Sequence, residues 1–372
     1  MLKKTETLKP THSSTATAET PMTETDLVNA PNNRPATTEE SDFFARDDQP
    51  RPEIVEGLIR EGQLVAFAGP FGMGKSPMLT DLTLHVIRGI AWCGRQVRKG
   101  PVIAFDFETP ASTYRRNVKS TAKRLDVDPP GVPGDLEIYL EHDDANKPAT
   151  KKLLEAIASG SPDTRIALID HAISRKRKAL VTIDPLELMF RVDTLKKTEV
   201  LRLYERLRRL LSKYPEAAII TTFNLRKRDK KCGKNDLLLD PRGWLEEVCG
   251  SLDILNRSDV RLGVDSHGDE GRVLNGIRRG EDMHPLIVRP VEIAPGEYAG
   301  FELCPPDTQT LFTATQRSYW NNLPVSFRFD DVADKIVPRS TLWKMLERAR
   351  QAGLAEFTDG QGWAKSPAGA KP

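Results

Sequence analysis

The stretch "GPFGMGKSPMLTDL", residues 69–82, decides how this chain folds. It fits the pattern G-x-x-x-x-G-K-[ST] from Gly69 to Ser76 and follows the apolar run "QLVAFAG" (63–69). The next segment, "MLTDLTLHVIRG" (78–89), has apolar residues at helical spacing. Glycines let the backbone bend tightly and turn successive N–H groups towards an anion. A strand, a glycine-rich turn and a helix in this order predict a phosphate-binding loop.

This loop is the first candidate site. We expect Lys75 to place its charge on the β- and γ-phosphates of a nucleotide and the Ser76 hydroxyl to bind Mg²⁺. The predicted cofactors are therefore ATP and Mg²⁺. The residues predicted to contact the nucleotide are Gly69, Pro70, Phe71, Gly72, Met73, Gly74, Lys75, Ser76 and Pro77.

Pro77 is unusual at this place because it has no N–H group. The first four N–H groups of a helix have no partner within the helix, so a proline there does not break it. It removes one donor that would reach the α-phosphate, a contact worth about 1.5–3 kcal/mol at most. The alternative is that Pro77 is a neutral first-turn residue.

Apolar strands alternate with helices after the loop. This order predicts an α/β fold, a mostly parallel sheet with helices on both faces, whose ligands lie at the carboxyl ends of the strands. The predicted strands are 101–108, 179–190 and 217–224, and the predicted helices are 113–127, 151–160, 165–178 and 196–214. Beyond Gly250 the helices are expected to stop, and segments such as "SLDILNRSD" (251–259) are expected to extend the sheet as short strands.

Two carboxylates stand at predicted strand ends. Asp184 ends "ALVTID" (179–184) and is the candidate for the Mg²⁺ shell. Glu108 ends "VIAFDFE" (102–108) and is the candidate that orients the attacking water. By strand alternation, Asp106 points to the opposite face from its immediate neighbours, which makes a strand-end glutamate the simpler choice. The alternative role for Glu108 is to cap a helix.

The order of these motifs, together with "AIITTFNLRK" (218–227) and "NGIRRG" (275–280), resembles the RecA-like ATPases. Within them it is most similar to the plasmid hexameric replicative helicases and the DnaB-type helicases. The resemblance covers about residues 52–300. It implies an ATPase that acts on DNA, helicase-like, in the replication or maintenance of a plasmid, phage or similar element.

The resemblance also implies roles for individual residues. Glu108 matches the water-activating residue, and Asp184 matches the Mg²⁺ aspartate. Asn224 stands where the subgroup often has a histidine that senses the γ-phosphate. Arg278 best matches the arginine that reaches the ATP of a neighbouring subunit, with Arg279 as the second choice. Such a finger requires a homo-oligomer, a filament or a ring such as a hexamer; the alternative is a solvated strand edge.

The tail carries a second pattern. The segments 311–324, 330–336 and 337–353 are predicted helices, and 354–366 is a predicted hairpin that turns at Asp359–Gly360. This order resembles a winged helix, with Ser340 as a helix cap. Arg339, Thr341, Lys344 and Arg348 are then expected to face outward, towards DNA or, alternatively, a protein. The basic runs "RKRK" (175–178) and "LRKRDKK" (225–231) are further candidates for DNA contact, although charge runs are commonly only solvated.

These patterns predict four regions: a disordered tail (1–51), an ATPase domain (52–304), a linker (305–310) and a winged-helix domain (311–372). Four cysteines without metal-site spacing and no membrane-spanning run favour a cytoplasmic protein without a membrane partner. The main alternative function is an ATP-controlled DNA-binding regulator that does not translocate. A phosphotransferase is a third, weaker alternative, since no acceptor-binding motif is visible.

Overall fold

The computed structural model describes residues 50–129, 135–140, 160–225, 236–247, 252–267, 271–279, 281–295, 297–304, 311–312 and 314–366. Residues Arg51–Pro372 form one compact unit. The predicted disordered tail, the linker 305–310 and most of the helix at 151–160 lie outside the described residues, as does nearly all of the basic run 225–231.

The described strands include short pairs and long central strands. They are β1 (Glu53–Val55), β2 (Ile59–Arg60), β3 (Leu64–Gly69), β4 (Val102–Asp106), β5 (Leu136–Leu140), β6 (Leu180–Asp184), β7 (Ala218–Asn224), β8 (Val260–His267), β9 (Gly271–Arg278), β10 (Glu281–Asp282), β11 (Leu286–Ala294), β12 (Glu297–Leu303), β13 (Ser326–Phe327), β14 (Ala355–Thr358) and β15 (Gly362–Lys365).

The described helices flank this sheet or form part of the tail. They are α1 (Lys75–Arg88), α2 (Ala111–Arg124), α3 (Pro162–Lys176), α4 (Leu186–Phe190), α5 (Lys197–Lys213), α6 (Pro241–Leu245), α7 (Asp253–Asn256), α8 (Ala314–Asn322), α9 (Phe329–Val332) and α10 (Arg339–Gln351). None of the helices in the described part of the chain is long and apolar enough to cross a membrane.

The central sheet has ten strands, nine of them in the order β12-β11-β9-β8-β3-β7-β6-β4-β5, while β10 pairs with β9. The strands from β8 to β5 run parallel, and β9, β11 and β12 continue the sheet with antiparallel pairing. The mostly parallel α/β fold predicted from the sequence is therefore confirmed. The antiparallel half explains why short strand patterns replace the strand–helix alternation late in the chain.

The core lies on both faces of the sheet because residues alternate along each buried strand. In β3, Leu64 and Ala66 join one apolar cluster, while Val65 and Phe67 join another on the opposite face. Helices α1 and α2 contact each other and β12, and α5 contacts α3, α7 and β3. Both faces are thus covered, as near-continuous apolar strands require.

Asp81 fixes the position of α1. Its fully buried carboxylate accepts hydrogen bonds from Trp92 Nε1 (2.9 Å), Arg124 of α2 (3.0 Å) and the backbone N–H of Phe301 in β12 (3.2 Å). A buried carboxylate is stable only when it is bound in this way. The helix that carries the phosphate loop is therefore held by both α2 and the last strand of the sheet.

Several predicted elements differ from the structure. The strand predicted over 179–190 ends at Asp184, and α4 follows it after Pro185, because the apolar spacing of the short run suits either element. The segment 251–259 is also not a strand: α7 occupies its centre, so the prediction that helices stop after Gly250 is wrong. In α10 the N-cap is Pro338, and Ser340 lies inside the helix rather than capping it.

The tail contains α8, α9 and α10 and a three-stranded antiparallel sheet in the order β13-β15-β14, in which β13 comes between α8 and α9 in the chain. The hairpin turns where the sequence predicts it, with Gly360 at a φ of 80°. Gly353, at a φ of 71°, follows the end of α10. Three helices and a small sheet in this order are compatible with the winged helix inferred from the resemblance, which stays a prediction.

Candidate nucleotide site

The phosphate loop connects β3 to α1. Gly72 and Gly74 have φ angles of 80° and 88°, in the left-handed region that suits glycine. The first helical hydrogen bond joins the N–H of Met78 to the carbonyl of Gly74, at 2.9 Å. Pro77 therefore precedes the first residue whose N–H the helix needs, and α1 forms without distortion.

Lys75 is buried at the base of the loop. Its ammonium group donates hydrogen bonds to the carbonyls of Gly69 (2.9 Å) and Pro70 (3.2 Å) and to Oδ1 of Asn224 (2.9 Å). Burial lowers the pKa of Lys75, and the carboxylates around it act in the opposite direction. The lysine is thus held by neutral oxygens that phosphate oxygens can replace.

The candidate Mg²⁺ site lies at the carboxyl ends of the parallel strands and consists of Asp184, Thr222 and Ser76. The Thr222 hydroxyl donates a hydrogen bond to Oδ1 of Asp184. Burial raises the pKa of Asp184, and the Ser76 hydroxyl is among the groups that act against this rise. The buried Oδ2 of Asp184 has no hydrogen bond of good geometry in the described chain.

These residues fit a magnesium ion that is bound mainly by a nucleotide. Mg²⁺ in such sites keeps several waters and takes one or two protein ligands plus phosphate oxygens. The described residues contain no cluster of three or more His, Cys, Asp or Glu side chains that could hold a metal alone. Ser76 and the orphaned oxygen of Asp184 supply the small ligand set that this kind of site requires.

Asp106 and Asp184 are direct partners across β4 and β6. Oδ1 of Asp106 accepts hydrogen bonds from the backbone N–H groups of Glu108 (3.1 Å) and Thr109 (2.8 Å). Burial first and the charge of Asp184 second raise the pKa of Asp106 to about 7. Asp106 therefore shapes the turn after β4, a role that its burial explains better than water activation does.

Glu108 lies in that turn and is exposed. Burial of its carboxyl group and the charge of Asp184 raise its pKa, and Lys75 acts in the opposite direction. The structure therefore brings Glu108 within electrostatic reach of Lys75 and Asp184. Its role as the residue that orients water stays a prediction, and its accessible position suits that role.

Glu187 is a further carboxylate at this edge that the sequence reading missed. Its side chain is half-buried in the first turn of α4. Burial and, after it, the charge of Glu108 raise the pKa of Glu187, whereas the charge of Lys75 lowers it. The available signal was its position three residues after Asp184. That signal was lost because the sequence predicted one long strand through this segment.

Arg278 lies away from the phosphate loop. It pairs with Val260, where β8 begins, so it lies at the sheet edge opposite the carboxyl ends of the parallel strands. Its side chain is buried and forms an ion pair with Glu53 of β1 at 3.2 Å. Arg279 is exposed at the same edge. The structure thus brings neither arginine to this chain's own phosphate loop, and the finger role stays a prediction.

Gly276 of β9 lies where the neighbouring strand leaves no room for a side chain. A Cβ at this position would lie 2.1 Å from the carbonyl oxygen of Arg261 on the neighbouring strand. No side chain fits at that distance without movement of the backbone. The chain therefore has no basic residue at this place in β9.

The basic candidates outside the loop are largely paired. In the run 175–178, Arg175 and Lys176 contact Glu137, and Lys178 contacts Glu216. In α10, Arg348 does not face outward: its side chain is mostly buried, forms an ion pair with Asp236 and donates to Gln316 at 3.3 Å. The prediction that Arg348 faces a ligand is wrong, because Asp236 precedes α6 and lies against the tail.

Comparison with known proteins gives one family. The model of the AAA domain family matches residues 30–230, just over half of the 372 residues. The matched range contains the phosphate loop and both candidate carboxylates, and it includes Asn224 at the end of β7. No match is found among the curated proteins.

Proposed function

The chain belongs to the AAA domain family, and from that premise we propose that it is a Mg²⁺-dependent ATPase of the RecA-like kind that acts on DNA. The proposal includes a helicase-like role in the replication or maintenance of a plasmid, phage or similar mobile element. The family membership indicates an ATPase-type domain. The DNA substrate rests on the motif order of residues 52–300 and on the winged-helix pattern of the tail.

One observation supports the ATPase part most directly. Lys75, Ser76, Asp184 and Glu108 come from three separate segments of the chain, yet they meet at the carboxyl ends of β3, β4 and β6. Ligands bind at this edge in open α/β sheets. A charged lysine, a hydroxyl, a buried carboxylate and an accessible carboxylate are the groups that phosphoryl transfer to water needs.

In this proposal each residue has a distinct task. The N–H groups of the loop and Lys75 bind the β- and γ-phosphates, and Lys75 exchanges its bonds to Gly69, Pro70 and Asn224 for phosphate oxygens. Glu108 orients the attacking water and accepts its proton. A bound Mg²⁺, held by Ser76 and Asp184, would neutralise charge on the phosphates.

The test replaces Lys75 with alanine and measures ATP hydrolysis and nucleotide binding. We expect hydrolysis to be lost, because Lys75 carries the positive charge at the base of the loop. Burial has already removed water from its ammonium group. Lys119→Ala, on the exposed face of α2, removes the same charge elsewhere and is expected to hydrolyse ATP as the wild type does. Unchanged turnover in Lys75→Ala would remove the phosphate-loop assignment.

The DNA part needs a separate measurement. The ATPase rate is compared with and without single-stranded DNA, and the mass in solution is measured with ATP bound. A motor is expected to be stimulated by DNA and to assemble into a homo-oligomer. Strand displacement would then identify a helicase, and a fully active ATPase without DNA stimulation or assembly would argue against it.

A second candidate is an ATP-controlled DNA-binding regulator that does not translocate. Arg278 supports this alternative, because its guanidinium is committed to Glu53 of the same chain rather than exposed for a neighbour. Asn224 supports it as well: a neutral amide is bound to Lys75 where the related helicases often have a histidine. Slow hydrolysis with ATP-dependent DNA binding and no strand displacement would identify the regulator.

A further inference from the structure

We infer that Arg242, Arg261 and Arg279 form a binding site for the phosphodiester backbone of a polynucleotide, at the sheet edge opposite the phosphate loop. This site goes beyond the proposed ATPase activity, and its nucleic-acid ligand rests on the proposed action on DNA. Neither the basic runs in the sequence nor the winged-helix pattern includes Arg242 or Arg261.

The register of the sheet places two of these arginines on one face. Arg261 of β8 lies opposite Ile277 of β9. The N–H of Arg279 donates to the carbonyl of Asp259 at 3.0 Å, so Arg279 lies two residues further along the same ladder. Because side chains alternate along strands, Arg261 and Arg279 project from the same side and are diagonal neighbours.

The third arginine is carried by α6, which covers this face. Trp244 of α6 donates from Nε1 to Asp265 at 2.7 Å, and its ring lies over Gly263, where a Cβ would be only 2.5 Å away. Gly263 and Asp265 share the face of Arg261 by alternation. Helix α6 contacts both β8 and β9, and Arg242 is exposed at its start. The charges of Arg279 and Arg242 add to burial in lowering the pKa of Arg261.

In the described part of the chain, no carboxylate neutralises the three arginines. None of them has an ion pair within the described residues. Asp259, the carboxylate nearest in the ladder, is bound through both oxygens by Arg208, at 2.6 and 2.7 Å. Asp253 pairs with Lys197. Like charges held close together repel each other, and a bound anion would offset this cost in free energy.

Two of the guanidinium groups are held in place by backbone oxygens. Arg261 Nε donates to the carbonyl of Leu255 at 2.8 Å, and Arg279 donates to that of Asn256 at 3.2 Å. Each guanidinium has five N–H donors, so most remain available for a ligand. Fixing the side chains in advance lowers the entropy that a bound anion must offset.

The three arginines come from three separate elements, which favours a ligand with several negative charges over a single phosphate. Arg242 lies on α6, Arg261 on β8 and Arg279 just after β9. The guanidiniums of Arg261 and Arg279 donate to the carbonyls of two consecutive residues at the end of α7, so these two side chains lie side by side. Neighbouring cations match the repeated charges of a nucleic-acid backbone.

The test uses the full chain with a fluorescently labelled single-stranded oligonucleotide, whose binding is followed by anisotropy between about 50 and 200 mM salt. The variant Arg242→Gln/Arg261→Gln should bind more weakly. The slope of log affinity against log salt should fall by about 0.7 for each lost contact, so by about 1.4. The matched control, Arg116→Gln/Arg202→Gln, removes two exposed charges from α2 and α5 and should keep the wild-type slope.

Further measurements keep the inference falsifiable. Arg242→Gln alone breaks no hydrogen bond of the described chain and should lower the slope by about 0.7 even if the double variant is unstable. Oligonucleotide binding identical to wild type in both variants would overturn the inference. A different outcome is that the variants keep DNA binding and lose only the part of the ATPase activity that rises with protein concentration. That result would overturn the inference and indicate that the arginines contact a nucleotide bound by a second copy of the chain. DNA-free hydrolysis tests the phosphate loop separately.

Discussion

At the scale of single residues, Lys75 and Asn224 connect the phosphate loop to β7. Three neutral oxygens hold the ammonium group of Lys75, and one of them is the side-chain oxygen of Asn224. A histidine at position 224 would bring a second cationizable group to Lys75, whereas the amide adds no charge. The bond between Lys75 and Asn224 therefore joins the loop to β7 and must break or rearrange when phosphates arrive.

Glu108→Gln should retain ATP binding and slow hydrolysis, because it removes only the group that accepts a proton from water. Loss of a general base costs about 10²- to 10⁴-fold in rate. Since burial and Asp184 raise the pKa of Glu108, the acid limb of the rate profile should lie at higher pH than for an ordinary glutamate. Nucleotide binding and steady-state turnover are measured together. If Asp106→Asn is the slow variant instead, the wrong carboxylate has been chosen.

Asp106 predicts how stability depends on pH when Mg²⁺ and nucleotide are absent. Its pKa is raised to about 7 in the folded chain, so the folded state binds more protons than the unfolded state between about pH 4 and 7. The free energy of unfolding should therefore fall as pH rises through this range, by at most about 4 kcal/mol.

Urea unfolding at about pH 5 and pH 8, in a chelating buffer, measures this effect. Asp106→Asn keeps an oxygen for the N–H groups of Glu108 and Thr109 and has no charge to lose. Its stability should change less between the two pH values than that of the wild type. An equal change in both proteins would mean that Asp106 is not the titrating group.

At the scale of elements, α1 shows that a helix can carry a phosphate loop with proline in its first turn. The ladder begins at Met78, one residue after Pro77, so the helix loses nothing and the nucleotide loses one donor. The sequence alone was sufficient for this inference, because the positions of the orphan N–H groups follow from the location of the loop.

Pro77→Thr should bind ATP and ADP more tightly, because it restores an N–H that reaches the α-phosphate in both nucleotides. The gain is at most about 1.5–3 kcal/mol, which is roughly 10- to 150-fold in affinity. Titration calorimetry with both nucleotides measures it. Pyrophosphate, which has no nucleoside α-phosphate, serves as the control ligand. Unchanged ATP affinity would show that Pro77 is neutral.

The sequence was most informative where a functional motif coincides with a regular spacing of apolar residues. The loop, α1, α5 and the strand end at Asn224 were predicted because apolar periodicity and a chemically necessary residue meet there. It was least informative at 184–190, where a short apolar run suits both strand and helix, and at 253–256, where α7 is only one turn long. Pairings such as Arg348 with Asp236 depend on tertiary contacts that local patterns do not contain.

At the scale of the whole molecule, different functional groups lie at the two ends of the parallel strands. The phosphate loop and its carboxylates lie at the carboxyl ends of the parallel strands, while Arg278 and Arg279 lie at the other edge. One copy of the chain therefore cannot bring its own Arg278 to its own nucleotide without rearrangement. Any finger role for either arginine requires a second copy.

Mixing two inactive variants tests this requirement. Arg278→Ala subunits should bind ATP but hydrolyse it poorly, and Lys75→Ala subunits should supply an intact arginine to them. An arginine finger is worth about 10³- to 10⁵-fold in rate, so partial rescue should be visible. Because Arg278 also binds Glu53, Arg279→Ala is examined in parallel. Rescue with neither arginine variant, together with a monomeric mass in ATP, would support the non-motor regulator.

The late strands of the sheet, from β8 to β12, have a practical consequence for anyone who shortens this chain. A fragment that stops at residue 230, where the family match ends, would lack β8, and one side of β3 would present unpaired backbone groups. Such an open edge invites intermolecular pairing and insolubility. It would also lack Phe301, whose N–H binds Asp81 and whose ring lies 3.1 Å from where a Cβ on Gly74 would stand. The smallest autonomous ATPase fragment should therefore extend through Leu303.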